Sequence, residues 1–131
     1  MKKYEPIPKH TEDLSRQVVD AAYRVHKSLG PGLLERVYEA CFCHELSKKG
    51  IFYSRQVDIP IIYDGITFNE AFRMDVLVEN SIICEIKSVD EVNKVWEAQV
   101  LSPLKLTGKR LGFLINFNVI KIRDGIRRFR I

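Results

Sequence analysis

Cysteine is scarce: three stand in 131 residues, Cys41, Cys43 and Cys84, and none has the spacing of a metal site. Cys41 and Cys43, two apart on a helix, point to different faces and pair poorly, so all three read as buried or free thiols in a reducing compartment. No apolar run approaches the roughly 18 residues that span a bilayer. The N-terminus lacks the apolar stretch of a secretory signal, so no membrane partner and a cytoplasmic location are expected. Repeats, low-complexity tracts and linkers are missing too. That leaves a single domain over 1–131, with MKKYEPIPKHTE (1–12) read as flexible. Nor is the charge lopsided: 21 basic against 17 acidic residues give +4, which permits a nucleic-acid partner without demanding one. Hydrophobic residues, at 46%, suffice for a buried core at this length without help from metals or disulfides.

Periodicity supplies the elements. Leu14, Val18, Ala21, Ala22, Val25 and Leu29 recur on one helical face, which predicts a helix over 13–29. Gly30-Pro31-Gly32 ends it, with Gly30 suited to a left-handed cap. A second helix is predicted over 33–49, its apolar stripe formed by Leu34, Val37, Tyr38, Cys41, Phe42 and Leu46. Strands follow at 52–62, 66–79 and 82–88, with a turn at Tyr63-Asp64-Gly65 and another at Glu79-Asn80-Ser81. Pro60 cannot donate to a ladder, so its strand has a free edge there. A third helix is predicted over 90–102, with Val92, Val95, Trp96 and Leu101 as core; strands at 110–118 and 119–130 complete the chain. The order ααβββαββ implies an α/β (α+β) domain, a central mixed sheet flanked by helices.

The segment RMDVLVENSIICEIKS (73–88) carries the chemistry. Side chains alternate across a strand, so Arg73, Asp75 and Leu77 are expected on one face and Met74, Val76 and Val78 on the other. With Glu79, Asn80 and Ser81 as a three-residue loop, Val78 pairs with Ile82 and Asp75 with Glu85. Two carboxylates then face each other at about 5 Å between β-carbons, a repulsive arrangement. A divalent cation between them reverses the sign, and Mg²⁺ or Mn²⁺ suits one or two carboxylates plus waters. Lys87, two residues beyond Glu85, can orient water or offset charge on a phosphoryl group. The bland alternative is an exposed Glu-x-Lys strand face, but the apolar flanks VLV and IIC suit a central strand, where charge needs a reason.

Asp75 followed by Glu85-Ile86-Lys87 resembles the split signature of the PD-(D/E)xK nuclease superfamily. GLLERVY (32–38) resembles the Gly-x-x-Glu-x-x-Tyr motif of a family of small proteins placed in it. HKSLGPGLLERVYEACFCHEL and EAQVLSPLKLTGKRLGFLINF are similar to further blocks, so the resemblance covers about 14–130. It implies a restriction-endonuclease-like core and a Mg²⁺-dependent nuclease. Asp75 and Glu85 would be metal ligands, Glu35 a further acid at the metal and Lys87 the catalytic lysine. Glu35 also suits the positive end of a helix on its own account. Tyr38 reads as core packing or as a hydroxyl bracing Glu35. Gln99, on the core side of the third helix, is a further candidate site residue, because related exonuclease-like nucleases line the site with Gln and a Tyr one turn later. Here that later position is Pro103, expected to kink or end the helix. Met74 also stands where the superfamily's name has Pro.

His26 lacks a second ligand at metal spacing and reads as a hydrogen-bonding residue. Phe52, Tyr53, Tyr63, Phe68 and Phe72 could stack bases, although strand aromatics more often pack the core. In KIRDGIRRFRI, several of Lys121, Arg123, Arg127, Arg128 and Arg130, spaced on alternate strand positions, would make a basic stripe along phosphates, or a charged guard on an edge strand. Lys121, Arg123, Arg127 and Arg128, with Arg73, are the expected nucleic-acid contacts. The expected partner is nucleic acid, DNA before RNA, with a homodimer suited to cutting both strands. The alternatives are a silent nucleic-acid-binding module with a nuclease fold, and a plain interaction protein, for which no residue speaks.

Overall fold

The amphipathic stripe of the first helix does what its spacing predicts except at its last residue, where Leu29 is exposed. In the computed structural model, which describes residues 5–131 and only the backbone of Glu70 and Ala71, α1 (Lys9–Leu29) buries Leu14, Val18, Ala21, Ala22 and Val25. Of the stretch read as flexible, residues 1–4 lie outside the described ones and 9–12 form the first turn of α1. Gly30 closes α1 by donating its N–H to the His26 carbonyl at 2.8 Å. Its φ of 65° with ψ of −170° is extended on the positive side, a region open essentially to glycine alone and not the left-handed cap expected.

Then α2 (Glu35–Lys48) packs back along α1. Its buried face is rotated from the expected stripe. Leu34 and Val37 are exposed, while Tyr38, Glu39, Phe42, Cys43 and Leu46 are buried. The rotation follows from Glu39, which turns inward because Arg55 and Gln56 hold its carboxylate.

Among the described residues, five strands form one sheet in chain order: β1 (Tyr53–Tyr63), β2 (Ile66–Val78), β3 (Ile82–Lys87), β4 (Leu111–Asn116) and β5 (Ile126–Arg130). All neighbours are antiparallel except β3 and β4. That parallel pair needs a crossover, which α3 (Lys94–Thr107) provides. The helices α1 and α2 cover one face of the sheet and α3 the other. As expected of a strand with a free edge, β1 is an edge strand, and its register slips between Ile59 and Ile61, around Pro60.

Several expectations are corrected. Pro103 does not end α3, which runs on to Thr107. The lost hydrogen bond to Gln99 is offset by the burial of Pro103 and Leu104 and by Gly108, left-handed at the C-cap. Gly112 on β4 lets α3 approach closely: a Cβ there would stand 2.6 Å from Val100 Cγ1. On α3, Val95 is exposed, and Val100 takes the core position. The last strand is shorter than expected, because Ile122–Gly125 is a 3-10 turn whose Ile122 is buried in the core. Lys121 and Arg123 therefore lie before β5 and not along it.

Strand alternation is also interrupted. On β1, Tyr53 and Arg55 point toward α1 and α2, but Val57 and Ile59 pack on the α3 side. On β2, Val78 and Val76 face α1 and α2, but Met74 and Phe72 face α3. Met74 thus does not share a face with Val76 and Val78, nor Arg73 with Leu77. Both strands change faces at one place, between Gln56 and Asp75, which drop out of the ladder between Arg55·Val76 and Val57·Met74. Gln56 has a left-handed φ of 51°, which reverses the pleat there.

Candidate active site

The β2–β3 hairpin has the expected register: Val78·Ile82, Leu77·Ile83 and Val76·Cys84, across a turn in which Glu79 and Asn80 both have positive φ. The ladder then stops. One step on, carboxylates replace backbone partners. Glu85 Oε1 accepts from the Asp75 N–H at 3.2 Å, and Asp75 Oδ2 accepts from the Ile86 N–H at 2.8 Å. The two acids are thereby locked against each other.

Their environment disfavours ionisation. Burial, then the Asp75 charge, pushes Glu85 up to about 8; the side chain is nearly inaccessible, with the residue 5% exposed. Asp75 is also raised, chiefly by burial. The Ile86 hydrogen bond opposes this and Glu39 reinforces it. Glu35, the first residue of α2, is raised mainly by burial, with Lys87 opposing and Asp75 and Glu39 adding repulsion. Lys87 closes β3 with its Nζ 5.3 Å from the centroid of the Trp96 ring. Trp96, expected in the core, instead carries this ammonium.

A cavity of about 780 Å³ is lined by Glu35, Arg36, Glu39, Arg55, Gln56 and Asp75, among others. Glu39, Arg55 and Gln56 were not anticipated from sequence. Glu39 is 6% exposed; its Oε2 accepts from Arg55 at 2.8 and 3.0 Å and its Oε1 from Gln56 at 2.9 Å. A signal for Glu39 existed, since it stands four residues after Glu35 on one helical face. Nothing in the sequence marks the backbone of Gln56. Gln99 lies half-buried on α3 and does not line this cavity.

Tyr38 fixes where α2 begins. Its ring stacks on Phe117 at 4.6 Å, and its hydroxyl donates to the Gly30 carbonyl at 2.5 Å and accepts from the Leu33 N–H at 3.1 Å. It braces the loop before Glu35 and not the Glu35 carboxylate. His26 is the hydrogen-bonding residue expected, 2.7 Å from the Val119 carbonyl.

The basic residues separate. Arg127 pairs with Glu97 and Arg128 with Glu12; Arg73 pairs with Asp58 across the β1–β2 ladder. Lys121 and Arg123 line a second cavity of about 890 Å³, bounded by α1 and α2 and away from the acid pair.

The donor set suits a divalent ion only in part. Among the described residues no three His, Cys, Asp or Glu side chains gather closely enough to hold an ion together. Two do converge and repel each other, Glu85 buried and Asp75 half-buried. A hard cation taking two carboxylates and completing its shell with water fits that pair. Among the described residues no helix is long and apolar enough to cross a membrane.

The sequence matches the family model of the PD-(D/E)XK nuclease superfamily over residues 12–129. Neither a curated protein nor a solved structure matches it significantly.

Proposed function

Since this chain belongs to the PD-(D/E)XK nuclease superfamily, whose members generally use divalent metal ions, we propose that it hydrolyses phosphodiester bonds of nucleic acid at Asp75, Glu85 and Lys87. One observation carries the reading: a buried Glu85 carboxylate and a half-buried Asp75 carboxylate held together where the sheet ladder breaks. A stable sheet gains nothing from that repulsion, and a cation removes it. Asp75 and Glu85 would hold the ion, Mg²⁺ first and Mn²⁺ second. A bound ion polarises a phosphoryl oxygen and makes water a stronger nucleophile.

The chain supplies the rest. Lys87 offsets charge developing on the phosphoryl oxygens, and its seat over Trp96 restrains the ammonium near the acids. Glu35, held at the start of α2 by the Tyr38 brace, is an outer carboxylate that reaches the centre through water. Glu39, Arg55 and Gln56 position the strand crossing that presents Asp75.

The absence of a third gathered acid among the described residues favours one further reading, a module that binds nucleic acid without turning it over. The decisive experiment incubates the protein with labelled single- and double-stranded DNA and RNA, in Mg²⁺, Mn²⁺ or EDTA, beside Asp75→Ala and Lys87→Ala. Metal-dependent cleavage lost in both variants supports the nuclease. Binding without cleavage, equal in all three proteins, leaves the silent module.

A further inference from the structure

The cavity lined by Lys121 and Arg123 has no part in the chemistry above. Arg24 and Lys27 from α1 and Lys48 from α2 meet these two at its walls. Two acids stand among the five cations and are already engaged: Asp20 with Arg24 at 2.7 Å and Glu45 with Lys48 at 2.9 Å. Lys27 and Lys121 have no carboxylate partner among the described residues, and Arg123 reaches only the exposed Asp124, at 4.0 Å. Three positive charges are thus in excess in one concavity built from three separate elements.

The concavity is also held in shape. Buried Ile122 anchors the segment between Lys121 and Arg123, and His26 ties the same segment to α1 through the Val119 carbonyl. Like charges fixed together repel unless an anion joins them. The walls bring five cations together beside Tyr23 and Ile122, and their excess positive charge suits a run of phosphates.

We propose that this cleft binds the phosphodiester backbone of the substrate strand beside the scissile bond. Ser28 lines the cleft and Leu34 lines the acid cavity. Five residues lie between them, six steps of chain, so they stand at most about 20 Å apart. That is about six nucleotides at 3.4 Å per nucleotide along one strand. The proposal rests on the nucleic-acid reading above but not on turnover.

The test measures binding of a labelled duplex of about 24 nucleotides, four times that span, and of its single strand, across a salt series in EDTA. Wild type is compared with Lys27→Ala/Lys121→Ala/Arg123→Ala and with Arg127→Ala/Arg128→Ala, whose residues are paired elsewhere. Each phosphate contact adds about 0.7–0.9 to the slope of log affinity against log salt, so the triple variant should lose about 2–3 and the double variant far less. Cleavage in Mg²⁺ is read separately. A cleft-dependent slope without cleavage keeps this inference and removes the nuclease. Cleavage with equal slopes in wild type and triple variant overturns the cleft alone, and so does equal loss in the triple and double variants. Stabilisation by inorganic pyrophosphate with unchanged slopes makes the cleft a small-anion site and overturns the backbone assignment. No binding by wild type to either nucleic acid overturns it as well.

Discussion

Replacing Glu85 with Gln should stabilise the metal-free protein, although it removes a group that the proposed hydrolysis would need. The side chain is buried against Asp75 and titrates near 8 instead of its ordinary 4.5. The folded state therefore holds the proton more tightly than the unfolded state. Its cost is absent below pH 4.5, grows as pH rises toward about 8, and is constant above that. At 1.36 kcal/mol per tenfold change in proton affinity, the ceiling is on the order of 5 kcal/mol, shared with Asp75. The amide introduced by Glu85→Gln keeps an oxygen that can accept from the Asp75 N–H and carries no charge. Denaturant melts in EDTA should show the two proteins alike near pH 5 and Glu85→Gln ahead by about 1–4 kcal/mol near pH 9. Mg²⁺ should recover the difference for wild type and leave the variant unmoved. Parallel pH profiles for both proteins, or equal Mg²⁺ responses, would refute the claim that the pair is a repulsive cation seat.

Tyr38→Phe removes the hydroxyl shared by the Gly30 carbonyl and the Leu33 N–H; a loss of about 1–3 kcal/mol in urea denaturation is expected, with weaker Mg²⁺ binding because Glu35 loses its brace. Gly112→Ala puts a methyl group against Val100 and should cost about 1–3 kcal/mol, and a second change, Val100→Ala, should restore much of it in a double-mutant cycle. Cys43 is buried and pushed up to about 12, and Cys84 is fully enclosed, so a thiol reagent at pH 8 should label Cys41 rapidly and the other two only after denaturation. Mass spectrometry of tryptic peptides reads the order of labelling.

Much of the architecture could be read from the chain, because helix and strand periods are local. The element order, most of the α1 stripe and the β2–β3 register up to Val76·Cys84 follow from spacing alone. What escaped depends on neighbours distant in sequence. Glu39 turns inward only because Arg55 waits on β1, and α2 rotates with it. Pro103 is tolerated because its ring and Leu104 are buried, a fact of packing that no helix rule contains. Alternation fails at Asp75 because a left-handed Gln56 on the adjacent strand reverses the pleat. The basic residues of the C-terminal run misled for a related reason. Their spacing fits a strand, but Ile122 is drawn into the core and folds the segment into a turn.

The exchange of ladder bonds for side-chain bonds at Asp75 and Glu85 links the occupant of the site to the order of the backbone. The amides of Asp75 and Ile86 depend on the same carboxylates that an ion would claim. An oxygen shared between an amide and a cation can serve both, but one withdrawn toward the cation leaves its amide to water. Loading the proposed site would therefore change the order of the open end of the hairpin, and solvent exchange at these two amides would follow that change from inside the sheet.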